Sequence, residues 1–281
     1  MRGYLAEFLS DPRVVRLPRL LCLPVLHGVV LNTRPARSAE KYALIWTAEG
    51  SPLAVHTARQ AALLRQSLPD FKVEYAMRYG EPSIASALEK LPRPLTVAPL
   101  YPQYSESATQ SVLDLVPGNV SIVRDFHDHP LYIEALAANV RRHWRARRRS
   151  PVLVMSFHGL PKRGAEVYEA QCRATAGLLA KNLALKNDEW RVSFQSRFGF
   201  AEWLQPYTAT TLKSFAMEGR DRVDVVCPGF VSDCLETLEE IGITARERFL
   251  AAGGKELQLV PCLNESQEWI AALAAISRVY S

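Results

Sequence analysis

The sequence predicts an α/β protein with parallel strands flanked by helices, and three observations carry that reading. Short apolar runs rich in β-branched residues, at 95–98, 121–123, 152–155 and 223–226, read as strands, the run at 152–155 as one covered on both faces. Helical patterns such as 131–144 separate them, and that alternation favours a parallel sheet with helices on both faces. The runs at 152 and 223 each lead into a Gly/Pro turn, and open α/β sheets bind ligands in the crevice at such strand ends. With 48% apolar and 22% charged residues in 281, the chain is globular and long enough for two ordinary domains or one large one. No internal repeat, low-complexity tract or long linker divides it. The His/Asp/Pro cluster at 125–130 marks the boundary, giving domains at 1–128 and 129–281.

A helical pattern with acidic residues opens the chain, followed by an apolar stretch at 20–31 broken by Pro24, His27 and Gly28. It is short of the ~20 residues of a membrane span. Acidic residues ahead of it, and no small-residue cleavage site behind it, also set it apart from a signal peptide. It reads either as buried core or as an apolar lip. Cys22, Cys172, Cys227, Cys234 and Cys262 form no Cys-x-x-Cys pair, so reduced thiols and a cytoplasmic location are expected. Much of the net charge of +5 lies in the basic run 141–149. Without aromatic interleaving or a nucleic-acid motif, the run reads as a solvated helix C-terminus favoured by the helix dipole. Nucleic acid is not expected as a partner; loose attraction to an anionic membrane is compatible with such a run.

The chemistry concentrates in two segments. Ser156-Phe157-His158-Gly159-Leu160-Pro161 follows the strand at 152–155 and puts an imidazole at a strand end, where it serves as a base or metal ligand at neutral pH, or else only caps a turn. After the strand at 223–226, Cys227-Pro228-Gly229-Phe230 makes a turn, and a helix is expected from Ser232 and Asp233 as N-cap pair through Ile241. Asp233, Glu236 and Glu240 would then line one helical face, as a solvated stripe or as a site at the sheet end that holds His158.

With these residues in place the chain resembles the ferrochelatases over nearly its whole length. The resemblance rests on Pro99-Leu100-Tyr101-Pro102-Gln103-Tyr104-Ser105, the segment 156–161, Phe194-Gln195-Ser196-Arg197-Phe198-Gly199, Trp203-Leu204-Gln205-Pro206-Tyr207-Thr208, the stretch 227–241 and Pro261-Cys262-Leu263-Asn264. It implies two similar Rossmann-like domains with a porphyrin cleft between them, and insertion of ferrous iron into the ring as the terminal stage of haem biosynthesis. Iron is then a substrate, no cofactor is retained, and a [2Fe–2S] cluster is not expected, because no third cysteine near Cys227 and Cys234 completes a cluster motif. By the resemblance, His158 accepts pyrrole protons and can ligate iron, Glu236 meets iron or relays protons, and Glu240 extends the relay outward. Thr244 stands where the family's stripe often continues. Arg34, Ser51, Tyr104 and Ser105 become candidates for porphyrin contacts, with Arg78, Tyr79 and Gly80 at another strand end facing the cleft. Trp46, Trp203 and Trp269 read as core or helix-face residues.

Such a base suits the reaction, because metal entry expels two pyrrole protons, and a bent macrocycle offers its nitrogen lone pairs to one face. A chelatase for another metal or tetrapyrrole, or a non-catalytic porphyrin or haem carrier, would carry the same His158 and Glu236. The chain departs from the family at its start: residues 1–11 match a point inside the first helical region, after the strand and Asn-Leu-Gly-Thr-Pro-like loop that usually come first. The resemblance thus implies a start further upstream or a first domain lacking that strand. The loop at 161–167 is also shorter than is usual. No feature of the sequence sets an oligomeric state.

Overall fold

A computed structural model describes residues 2–15, 23–199 and 201–279. β1 (Thr96–Val97) and β2 (Ser121–Ile122) pair in parallel as a two-stranded sheet. β3 (Val152–His158), β4 (Trp190–Gln195), β5 (Arg222–Val226) and β6 (Glu256–Leu259) make a second parallel sheet in the order β4-β3-β5-β6. The expected strands at 95–98, 121–123, 152–155 and 223–226 all form. The outer strands β4 and β6, which carry polar residues at partly exposed positions, had no apolar run to announce them.

β3 extends past the expected run through Ser156 and Phe157 to His158. Polar Ser156 stays inside the strand because its hydroxyl donates to Gln195 Oε1 at 2.7 Å and lies 2.8 Å from Thr208 Oγ1. Strand alternation divides the β3 side chains between two cores. Leu153, Met155 and Phe157 face the larger one, built with helices Pro130–Ala146, Glu166–Asn182 and Gln267–Val279. Val152 and Val154 face the other, with Leu212 and Phe215 of helix Thr208–Met217 and Phe249 of helix Arg246–Ala251.

The larger core reaches across residue 128. Leu64 of helix Pro52–Ser67, together with Leu68, Val123 and Phe126, packs in the same cluster as Tyr132 and Trp269. Trp269 is fully buried, and its indole N–H donates to Gln60 Oε1 at 3.1 Å. Trp203 is buried as well, whereas Trp46 is exposed after helix Leu31–Ala43 and meets the edge of the Tyr42 ring.

Helix Arg2–Ser10 buries Leu5 and Leu9 against Leu26 and Leu31 in a small third core. The apolar stretch 20–31 is therefore divided: Leu26 and Leu31 point inward, while Leu23, Val25 and Val29 are exposed. Leu20, Leu21 and Cys22 lie outside the described residues. Among the described residues, no helix is long and apolar enough to cross a membrane. In the basic run, Arg142 meets Glu268 at 2.6 Å, Arg149 meets Glu189 at 3.0 Å and Arg141 meets Glu134 at 3.2 Å.

Candidate active site

His158 is the last residue of β3 and half-buried. Its Nδ1 lies 2.6 Å from the Gly159 carbonyl oxygen. A carbonyl oxygen only accepts, so Nδ1 carries the proton, and in the neutral ring Nε2 is left as the basic lone pair. The turn is built for this geometry. Gly159 N–H donates to the Gln195 carbonyl at 2.8 Å, and a Cβ on Gly159 would lie 2.6 Å from that same oxygen, so a larger residue does not fit. The Tyr168 hydroxyl holds the His158 carbonyl at 2.9 Å, and the Phe230 ring lies 6.4 Å from the imidazole.

The helix that carries Glu236 begins later than expected. It spans Leu235–Leu238, with Cys234 rather than Ser232 or Asp233 as N-cap and with Thr237 completing a capping box. Asp233 is drawn away from the carboxylate stripe: it accepts from Asn264 Nδ2 at 2.7 Å and from the Thr237 hydroxyl at 3.0 Å. After Glu239 the backbone widens into a π turn, Glu240–Ala245, which brings Thr244 round to donate to Glu239 Oε1 at 2.7 Å. Glu239, with a nearly buried carboxylate, is also held by Lys41 Nζ at 2.8 Å.

β3 pairs in parallel with both β4 and β5, so His158 and the segment after β5 share one end of the sheet. Gln195, in register with His158, bridges the two. Its side-chain Nε2 donates to the Glu236 carbonyl at 2.7 Å, and its Oε1 accepts from Ser156. Ser196 follows with φ of 64°, a left-handed conformation that is strained for serine. Two hydrogen bonds to the Glu240 carboxylate hold it there, from its N–H at 2.7 Å and its hydroxyl at 2.6 Å. Glu240 is thereby anchored to the end of β4.

Around Glu236 the structure gathers residues that sequence reasoning missed. The phenols of Tyr4, Tyr42 and Tyr101 all feel the Glu236 charge, and Tyr4 and Tyr42 act on each other. Burial, and then Glu236, pushes the Tyr42 hydroxyl up to about 12. Burial first also raises Tyr4 and Tyr101, the latter offset in part by Arg78. All three stay neutral at physiological pH. The Cys234 thiol adjoins Glu236 too, and burial, followed by that carboxylate, raises it. The residues come from segments remote in sequence, so no local pattern announced them.

The other expected positions each have partners of their own. Arg34 is exposed on helix Leu31–Ala43, its guanidinium 5.9 Å from the Phe198 ring in the loop after Ser196. The Ser51 hydroxyl caps helix Pro52–Ser67 by accepting from Ala54 N–H at 3.5 Å. Ser105 likewise caps the turn Glu106–Gln110 by accepting from Ala108 N–H at 3.1 Å. Tyr104 lies under the Arg124 guanidinium at 4.0 Å and donates to Gln110 Oε1 at 3.0 Å. Arg78 and the Tyr79 hydroxyl both engage Asp11, the latter at 2.8 Å. Among the described residues, no three His, Cys, Asp or Glu side chains come together as a metal-holding group.

The family model for ferrochelatase matches residues 1–279. The chain belongs to the ferrochelatase family. Ferrochelatases of Aromatoleum aromaticum and Polaromonas sp. are each 52% identical to it, over 99% of this chain and 82% and 81% of their own lengths. The ferrochelatase of Bordetella pertussis is 48% identical over 97% of this chain and 81% of its own. Among solved structures, SirB from Bacillus subtilis with Fe3+ superposes with a TM-score of 0.60 at 13% identity, covering 82% of this chain and 91% of that one. CbiX, described as the terminal enzyme of sirohaem biosynthesis in denitrifying bacteria, gives 0.56 at 15% identity, covering 83% and 95%. At such identities the likeness is one of fold: an α/β chelatase-like architecture with parallel sheets flanked by helices.

Proposed function

We propose that this ferrochelatase-family protein inserts Fe2+ into a porphyrin, protoporphyrin IX or coproporphyrin III, releasing two protons at the terminal stage of haem biosynthesis. The observation that carries the reading is the fixed tautomer of His158: Nδ1 is committed to the Gly159 carbonyl, and Nε2 is free to take a pyrrole proton. Glu236 attracts the ferrous ion as two N–H bonds of the ring give way to metal–nitrogen bonds. The phenols of Tyr4, Tyr42 and Tyr101 lie within reach of its charge and, being neutral, do not cancel it. Glu240, anchored by Ser196, passes protons outward.

Arg34 pairs with a ring propionate. The Ser51 and Ser105 hydroxyls accept from backbone N–H groups as caps, which leaves each O–H free to donate to a propionate, and Tyr104 lines the rim beside Ser105. Iron is consumed as substrate, and the reading includes no retained cofactor and no [2Fe–2S] cluster. It places the protein in the cytoplasm as two chelatase domains, 1–128 and 129–281. The exposed side chains of Leu23, Val25 and Val29 offer an apolar lip to the tetrapyrrole or a peripheral contact with lipid.

Anaerobic Fe2+ insertion into both porphyrins, followed optically for the parent, His158→Ala and Glu236→Ala, tests the reading. Turnover by the parent and its loss in both variants is the expected result. Tight porphyrin binding without turnover in the parent would replace the enzyme with a carrier, and faster insertion of another divalent metal would reassign the substrate.

A further inference from the structure

Helix Pro52–Ser67 turns one face toward the segment that carries Glu236, and two residues four apart on that face make the contact. His56 Nδ1 lies 2.8 Å from Glu265 Oε1, and the Gln60 side-chain amide donates to the Ser232 hydroxyl at 2.7 Å. A carboxylate oxygen only accepts, so His56 Nδ1 carries the proton of its bond. Gln60 is buried and also accepts from the Trp269 indole, which seats the helix independently of His56.

Ser232 and Glu265 flank a clasp. Asn264, the residue before Glu265, is left-handed at φ of 46° and makes three hydrogen bonds to the chain after β5. Its N–H donates to the Val231 carbonyl at 2.9 Å, its Oδ1 accepts from Asp233 N–H at 2.9 Å, and its Nδ2 donates to the Asp233 carboxylate at 2.7 Å. Asp233 Oδ1 in turn accepts from the Thr237 hydroxyl at 3.0 Å, and that hydroxyl accepts from Cys234 N–H at 3.0 Å. Glu236 lies inside the turn that these bonds close. A left-handed residue other than glycine needs its surroundings to hold it, so the anchorage of Glu265 bears directly on whether Asn264 keeps its three bonds.

We propose that His56 is a positioning residue for iron insertion: by holding Glu265 it keeps Asn264 clasped on Asp233, and with it the turn of Glu236. The inference rests on the function proposed above and adds a residue that acts through Glu265 and Asn264 rather than at the reacting atoms. His56 is asked for a donor in a fixed place and not for a base. The side-chain amide of asparagine carries N–H groups at a reach close to that of imidazole Nδ1, so it should replace the histidine.

Two measurements on the full chain test this: backbone amide exchange without metal or porphyrin, and anaerobic Fe2+ insertion with each substrate varied in turn. The variants are His56→Ala, His56→Asn and Arg59→Ala, Arg59 being exposed on the same helix and paired with Glu49. In His56→Ala the amides of 231–238 should exchange faster and kcat/KM for Fe2+ should fall roughly 2- to 30-fold, the range for residues coupled to a site they do not touch. The porphyrin KM should hold. His56→Asn should restore both readouts, and Arg59→Ala should change neither. If His56→Ala does not fold, Glu265→Ala cuts the same bond from its other end and carries the same expectations. Unaltered exchange in His56→Ala, an equal loss in His56→Asn or Arg59→Ala, or a porphyrin KM that rises in step with the loss toward iron would overturn the proposal. A parent that inserts no iron would remove the proposed function, and the exchange measurement would then decide the clasp by itself.

Discussion

The side-chain amide of Gln195 donates to the backbone carbonyl of Glu236 at 2.7 Å, joining the end of β4 to the short helix that carries the carboxylate proposed to attract iron. The same side chain accepts from Ser156 two residues before His158, so one glutamine fixes both sides of the site. Gln195→Leu should lower the rate of iron insertion roughly 10- to 100-fold, the usual effect of losing an outer-shell partner. The porphyrin KM should change far less, and steady-state kinetics with each substrate varied separates the two effects.

Gly159 has no room for a side chain, because a Cβ would meet the Gln195 carbonyl oxygen at 2.6 Å and the Trp203 ring at 3.3 Å. Gly159→Ala is expected to destabilise the fold by about 1–3 kcal/mol through overpacking and to displace the His158 turn. Thermal unfolding by calorimetry, beside the activity of the surviving folded fraction, measures both.

Lys41 and Glu239 form an ion pair at 2.8 Å in which only the carboxylate is buried. Lys41→Met leaves that charge without its ammonium partner, beside the Thr244 hydroxyl, and should cost about 1–3 kcal/mol. The double variant Lys41→Met/Glu239→Gln should recover much of this loss, and a double-mutant cycle from urea unfolding tests it.

The buried thiols set an alkaline limit on stability. Burial raises Cys172, Cys227, Cys234 and Cys262 above the ordinary thiol range, with Asp233 adding to the shift of Cys227 and Cys262 and Glu236 to that of Cys234. Unfolded thiols ionise near 8.5 while the folded ones hold their protons, so the unfolded state binds fewer protons above that pH. Stability should be whole below about pH 8.5 and fall as pH rises beyond it, by about 1 kcal/mol per pH unit for each thiol. Urea unfolding at stepped pH reads the slope. Iodoacetamide at pH 8 should label these thiols in denaturant and spare them in the native protein.

The sequence made the inner strands β3 and β5 legible because each is an apolar run bounded by turn residues, and from those boundaries His158 at the end of β3 and Glu236 on the helix after β5 follow. It misplaced the helix start at Asp233, because the competing partner, Asn264, lies 31 positions away in the chain. The resemblance marked Thr244 as standing where the family's stripe often continues, and helical spacing does not anticipate the π turn that puts its hydroxyl onto Glu239. The convergence of Tyr4, Tyr42 and Tyr101 on Glu236 is a product of tertiary folding alone, and composition and periodicity do not encode it.

Helix Gln267–Val279 inserts Trp269 into a cluster that holds Leu64 and Leu68 from far earlier in the chain. During synthesis, the early helix Pro52–Ser67 leaves the ribosome without the wall that will finally cover it. At ordinary elongation rates that wall arrives roughly ten to forty seconds later. The nascent first half therefore travels with an apolar flank open to solvent, and a chaperone holding that flank would compete with Trp269 for the same surface.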